Sequence, residues 1–203
     1  MIIGYYFHSA DHWGKAAETV FADPEPNYTS NFVWCECFGV EGGGKCRDVY
    51  QKITREFRRA ISHLKRGESL TSLTTASSDW KTHDIIQRIV ATYGPEPNNA
   101  LIIFIAVKER YDEICFQRGA NLENRELLRI HQRASPYKEL WDRFHSAMTD
   151  DDDIEVVLDA HDLSGQVLEV VLITGDFRDI VSHKGMILAA TAIRDIRYLG
   201  DFG

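Results

Sequence analysis

Two apolar runs that each end in a set of acids constrain this chain more than any other feature. Val156-Val157-Leu158 leads into Asp159-Ala160-His161-Asp162, and Val170-Val171-Leu172-Ile173 leads into Thr174-Gly175-Asp176-Phe177-Arg178-Asp179. Each run has the length of a buried strand and is far too short to span a membrane. Strand–helix–strand alternation with short links folds as a parallel sheet covered by helices on both faces. At the strand ends of an open parallel sheet the loops diverge and leave a crevice where ligands bind. Carboxylates gathered in such a crevice repel one another until a divalent cation joins them. Hard, oxygen-seeking Mg²⁺ or Mn²⁺ suits an all-carboxylate set. Taken alone, Asp176 and Asp179 would equally serve as caps of the next helix.

Periodicity orders the rest of the chain. The last third predicts a strand over Ile154–Leu158, a helix over Asp159–Glu169, a strand over Val170–Thr174, a helix or turn over Phe177–His183, and a short strand near Ile196–Leu199. At the other end, Met1-Ile2-Ile3 reads as a short strand and Trp13–Phe21 as an irregular helix. Tyr28-Thr29-Ser30 then opens a second helix that carries Glu36. Val49, Ile53, Phe57, Ile61 and Leu64 recur at helical steps, with Arg55, Arg58, Arg59 and Lys65 on the opposite face. Ser77-Ser78-Asp79 caps a predicted helix near Trp80–Thr92. Leu101–Val107 is nearly continuous in apolar residues and reads as a buried strand. Helical signals return from Glu123 to Met148, broken at Ser135-Pro136. The whole predicts one domain over residues 1–203, a three-layer α/β/α fold with a central, mainly parallel sheet. A mainly helical insertion around residues 45–150 enlarges it.

Charge narrows the partners. A net charge of −8 excludes a wholly basic nucleic-acid binder. Locally the balance reverses: from Lys45 to Arg66 the chain carries eight basic residues and only two acids, Asp48 and Glu56. The run Asp150-Asp151-Asp152-Asp153 reads as a solvated loop without a catalytic role. The four cysteines, Cys35, Cys37, Cys46 and Cys115, are too few for a disulfide framework in a chain of this size. Cys35-x-Cys37 with Cys46 lacks the Cys-x-x-Cys spacing of structural zinc, so reduced, partly buried thiols are expected. The first residues lack the basic region and cleavage site of a signal peptide, and the chain reads as cytoplasmic, with no membrane partner.

Taken in order, these elements resemble the PIN domain, a family of metal-dependent ribonucleases that includes VapC-like toxins. The family's pattern has an N-terminal strand, a helix, a Thr/Ser-Ser start to a helix bearing one Glu, an Asp-Ala-x-x-Leu helix, and a strand ending in Thr-x-Asp-x-x-Asp. Here those parts are Ser30 with Glu36, then Asp159-Ala160-His161-Asp162-Leu163, then Thr174-Gly175-Asp176-Phe177-Arg178-Asp179. They cover roughly the first forty and last fifty residues. One position departs from the pattern. The family's first carboxylate closes strand one, and this chain has Gly4-Tyr5-Tyr6-Phe7 there, with no acid before Asp11.

The resemblance implies an endoribonuclease, with Glu36, Asp159, Asp176 and Asp179 as its catalytic carboxylates. Glu36, Asp159, Asp162 and Asp176 would hold Mg²⁺ or Mn²⁺, which can activate water and stabilise the leaving oxygen. Ser30 and Thr174 would orient carboxylates or waters by hydrogen bonding. Arg55, Arg58 and Arg59 would hold RNA backbone phosphates without reading bases. An antitoxin protein and a second copy of the chain, as a homodimer, are the further partners implied. The alternative is a PIN-like domain that lacks catalysis and acts as an RNA-binding or protein-interaction module, which the missing acid at Gly4 favours.

Overall fold

Among the described residues the strands are four residues long, and each pairs with one parallel partner. A computed structural model of the chain describes residues 1–7, 13–39, 44–68, 97–124 and 127–202. The helix predicted near Trp80–Thr92 lies outside the described residues. Strand β1 (Asn27–Ser30) pairs with β2 (Leu128–His131), Ser30 standing opposite His131. Strand β3 (Val171–Thr174) pairs with β4 (Asp195–Tyr198), Thr174 opposite Tyr198. Among the described residues the two pairs stay separate, where one continuous central sheet was expected. The chain is mixed α/β and mostly helical.

The helices follow from their apolar stripes. Helix α1 (Ile2–Phe7) packs on α2 (Gly14–Phe21), and β1 leads directly into α3 (Asn31–Phe38). Ser30 caps α3, its Oγ accepting a hydrogen bond from the Val33 amide at 3.1 Å. Helix α4 (Lys45–Lys65) buries Ile53, Phe57, Ala60 and Leu64 against Phe104 and Tyr111 of α5 (Pro97–Glu123). Its Arg55, Arg58 and Arg59 are exposed, as the periodicity predicts. Helix α6 (Lys138–His145) and helix α7 (Asp151–Leu163) share a second core, in which Phe144, Ile154, Val157 and Leu158 meet Ile180, Ile187 and Ile196. After β3 the chain makes a five-residue π-helical turn, Phe177–Val181, then α8 (Lys184–Ala190), β4 and a closing 3₁₀ turn, Leu199–Phe202. No helix among the described residues is long and apolar enough to cross a membrane.

Three predicted strands are helices instead. Ile2 and Ile3 belong to α1, because Ile2, Tyr5 and Phe7 bury against α2 and α5. Leu101–Val107 lies inside α5, where Ala100, Phe104, Tyr111, Cys115 and Leu122 are buried at steps of four and seven. Ile154–Leu158 lies inside α7, with Ile154, Val157 and Leu158 fully buried at helical spacing. A short apolar run fits either period, and here the flanking residues decide for helix. Two boundaries also move. The helix expected over Asp159–Glu169 ends at Leu163, and part of the helical stretch expected after Glu123 is strand β2, which buries Leu128 and His131 and pairs with β1.

Candidate metal centre

The acid run Asp150–Asp153 is the start of a helix, not a loop. Asp150 caps α7 by accepting from the Asp152 amide at 2.9 Å, and the next three acids occupy the first turn. There the free amides and the helix dipole favour negative charge. Asp153 points toward the end of β3. Thr174 ends that strand, and its hydroxyl accepts from the Asp176 amide at 3.0 Å. Asp176 caps the π-helical turn, Oδ1 accepting from the Asp179 amide at 2.6 Å. Asp179 is buried, with Thr149 donating to it from the amide at 3.0 Å and from the hydroxyl at 2.8 Å. Thr149 thereby ties the start of α7 to the turn after β3.

Among the described residues, Asp153, Asp176 and Asp179 are the one set of three whose possible ligand atoms all lie within 4.8 Å of one another. Burial pushes the Asp153 carboxyl up to about 7, helped by the charges of Asp176, Asp150, Asp179 and Asp152. Asp179 moves the other way, held below the ordinary range by the Thr149 backbone and hydroxyl bonds. The three oxygen donors, one of them poised to ionise near neutrality, fit a hard divalent cation.

A second group of acids lies on the neighbouring face of α7. A cleft of about 690 Å³ is lined by Asn31, Phe32, Cys35 and Glu36 of α3, by Gln132 and Arg133 after β2, and by Asp152, Glu155 and Asp159 of α7. Lys45 donates to Glu36, and Arg133 is ion-paired with Glu155 and lies 3.4 Å from Asp159. Burial raises the Asp159 carboxyl above its ordinary range, against a hydrogen bond from Ser30 and the charge of Arg133. The buried Nη1 of Arg133 has no hydrogen-bond partner among the described residues.

The residues singled out in the sequence therefore fall into three places. Asp176 and Asp179 join in the acid triad, with Thr174 bonding its backbone. Glu36 and Asp159 face the cleft, with Ser30 bonded to Asp159; their ligand atoms do not join the triad at 4.8 Å. Asp162, expected beside Asp159 as a ligand, is turned away. His131 Nε2 lies 2.9 Å from Oδ2, Tyr137 donates to Oδ1 at 2.8 Å, and the Ala134 amide donates to Oδ2 at 3.2 Å. Burial works against that charge, but these bonds outweigh it and hold the Asp162 carboxyl below its ordinary range. Asp162 fastens α7 to the end of β2 and the loop after it.

Gly4 is not at a strand end. It lies buried in α1, where a Cβ would stand 2.9 Å from Cβ of Trp13. Cys37 and Cys46 are buried free thiols hydrogen-bonded to each other. Sequence reasoning missed Asp153, Thr149, Arg133 and His131. For Asp153 the signal was present: acids directly before apolar residues at positions 154, 157 and 158 mark a helix N-terminus. Compared with known protein families, with curated proteins and with solved structures, the chain has no match.

Proposed function

We propose that this chain is a Mg²⁺- or Mn²⁺-dependent ribonuclease of the PIN-like, three-layer type, hydrolysing phosphodiester bonds in RNA. The observation that carries the reading is the convergence of Asp153, Asp176 and Asp179 within 4.8 Å at the C-terminal end of a parallel strand. These three residues would hold the cation. A divalent ion so held lowers the pKa of bound water and offsets phosphate charge. Asp179 brings a carboxylate that its Thr149 bonds keep ionised, and Asp153 gives up its proton on ligation. Arg133 carries a buried donor at the neighbouring cleft, suited to a phosphate oxygen. The exposed Arg55, Arg58 and Arg59 lie along one helix, suited to backbone phosphates.

The test is cleavage of single-stranded RNA with added Mn²⁺, with a chelator control, for the wild-type chain and Asp176→Asn. Asparagine keeps the cap on the π-helical turn and removes the charge. Cleavage should fall by at least about a hundredfold in the variant, in line with losing roughly 3 kcal/mol of transition-state stabilisation. Undiminished cleavage in Asp176→Asn sinks the reading. A second reading, a PIN-like module that binds RNA or protein without cutting, is favoured by the sequence pattern, which has Gly4 where the resemblance would give the family's first carboxylate. RNA binding without metal-dependent cleavage would select it.

A further inference from the structure

The segment between the two acids of the strand-end motif is Phe177-Arg178, and both side chains are exposed. Phe177 is 59 % exposed and opens the turn, between Asp176 and Asp179 of the acid cluster. It is not isolated. Its ring meets Tyr198 edge-on at 5.5 Å, and Tyr198 meets Trp13 edge-on at 5.6 Å. Tyr198 is itself backed by Gly200, where a Cβ would come within 2.4 Å of the tyrosine ring. Packing against Trp13 and Gly200 therefore holds the tyrosine, and the tyrosine in turn supports Phe177. The outer ring of this chain of three is exposed and next in the chain to Asp176 of the acid cluster.

We infer that Phe177 is the stacking platform for one nucleobase of a single-stranded RNA substrate, with Arg178 holding the adjoining phosphate. This rests on the ribonuclease reading above and adds the residues that hold one nucleotide of the substrate. A nucleotide next to a scissile phosphate presents two things to a protein, an unpaired π-face and a charged phosphate. Adjacent aromatic and guanidinium groups match both. Every base has a π-face, so the platform selects unpaired RNA over duplex without selecting a sequence.

The experiment is a binding cycle on the full chain in Ca²⁺, using a short labelled single-stranded oligoribonucleotide and a set in which each position in turn is abasic. Cleavage in Mn²⁺ is measured alongside. In the wild-type chain one abasic position should weaken binding about tenfold, the scale of a single base–aromatic stack. Phe177→Ala should be weaker by a similar factor and indifferent to that abasic position, and Phe177→Trp should restore both. Arg178→Ala should reduce the salt dependence of binding by about one counterion. If wild type binds and cleaves RNA but Phe177→Ala matches it at every position, the stacking inference fails and the ribonuclease reading stands. If wild type neither binds nor cleaves, both fall. A Phe177→Ala chain that keeps its RNA affinity and loses self-association in sedimentation would make the ring a protein contact and overturn the inference.

Discussion

Asp153 and Asp179 share one cluster and are driven in opposite directions. Asp153 sits among like charges in a partly buried place, so its folded value, about 7, lies far above its unfolded one. A carboxyl raised on folding stabilises the fold fully below about pH 4, and that contribution drains away as pH rises through 7. The metal-free chain should therefore lose stability between pH 4 and 7 from this group. Asp153→Asn should regain about 1–2 kcal/mol at pH 8, discounted because the group is partly solvated. Urea titrations of both proteins at pH 5 and pH 8 check this, and equal gains at both values would refute it. Mn²⁺ must displace the same proton, so its affinity should rise several-fold from pH 6 to pH 8 in the wild type and stay flatter in Asp153→Asn. Isothermal calorimetry in buffers of different ionisation enthalpy reads the proton released. Asp162 calls for the reverse test. Its bond to His131 is buried and those from Tyr137 and Ala134 are part-buried, so Asp162→Ala should cost about 1–3 kcal/mol, mainly by leaving buried His131 unpaired. Mn²⁺ affinity should not move, since Asp162 lies outside the triad.

Helix α4 has two unlike faces. Ile53, Phe57, Ala60 and Leu64 are buried, while Arg55, Arg58 and Arg59 are exposed, with Arg59 3.7 Å from Glu56. Replacing the three arginines by glutamine should leave thermal stability within about 0.5 kcal/mol. RNA affinity should drop and its log–log salt slope should flatten by about two to three. An unchanged slope would leave the stripe an ordinary solvated face. This helix was fully legible in the sequence because both of its faces repeat at the helical period. The strand at Val171–Thr174 was legible too, bounded by a Thr-Gly-Asp corner. The runs at Ile2, Leu101 and Ile154 were not, since a short apolar run fits either period. In α7 the deciding information lay outside the run, in the acids that cap it; in α5 it lay in Tyr111, Cys115 and Leu122, well beyond it. The site was half legible for the same reason. Asp176 and Asp179 were found from the strand end, whereas Asp153 was set aside with a run of acids whose helical phase went unread.

At the scale of the molecule, the two strand pairs differ most in how far apart their partners lie in the chain. Val171 and Asp195 are close in sequence, while Tyr28 and Arg129 are separated by most of the helical middle. Closing a loop of about 100 residues costs roughly 1 kcal/mol more than closing one of about 24, and its contacts form later. The acid triad and its Thr149 brace draw on residues 149–179 alone, so they belong to the early, short-range part of the fold. The cleft does not, because its walls come from Asn31–Glu36 on one side of the long loop and from Gln132–Asp159 on the other. Hydrogen exchange should accordingly protect β3, β4 and α7 more strongly than β1 and β2. In rising urea the chain should lose its grip on RNA at a lower concentration than its grip on Mn²⁺, passing through a state that still holds the ion and has no cleft in which to use it.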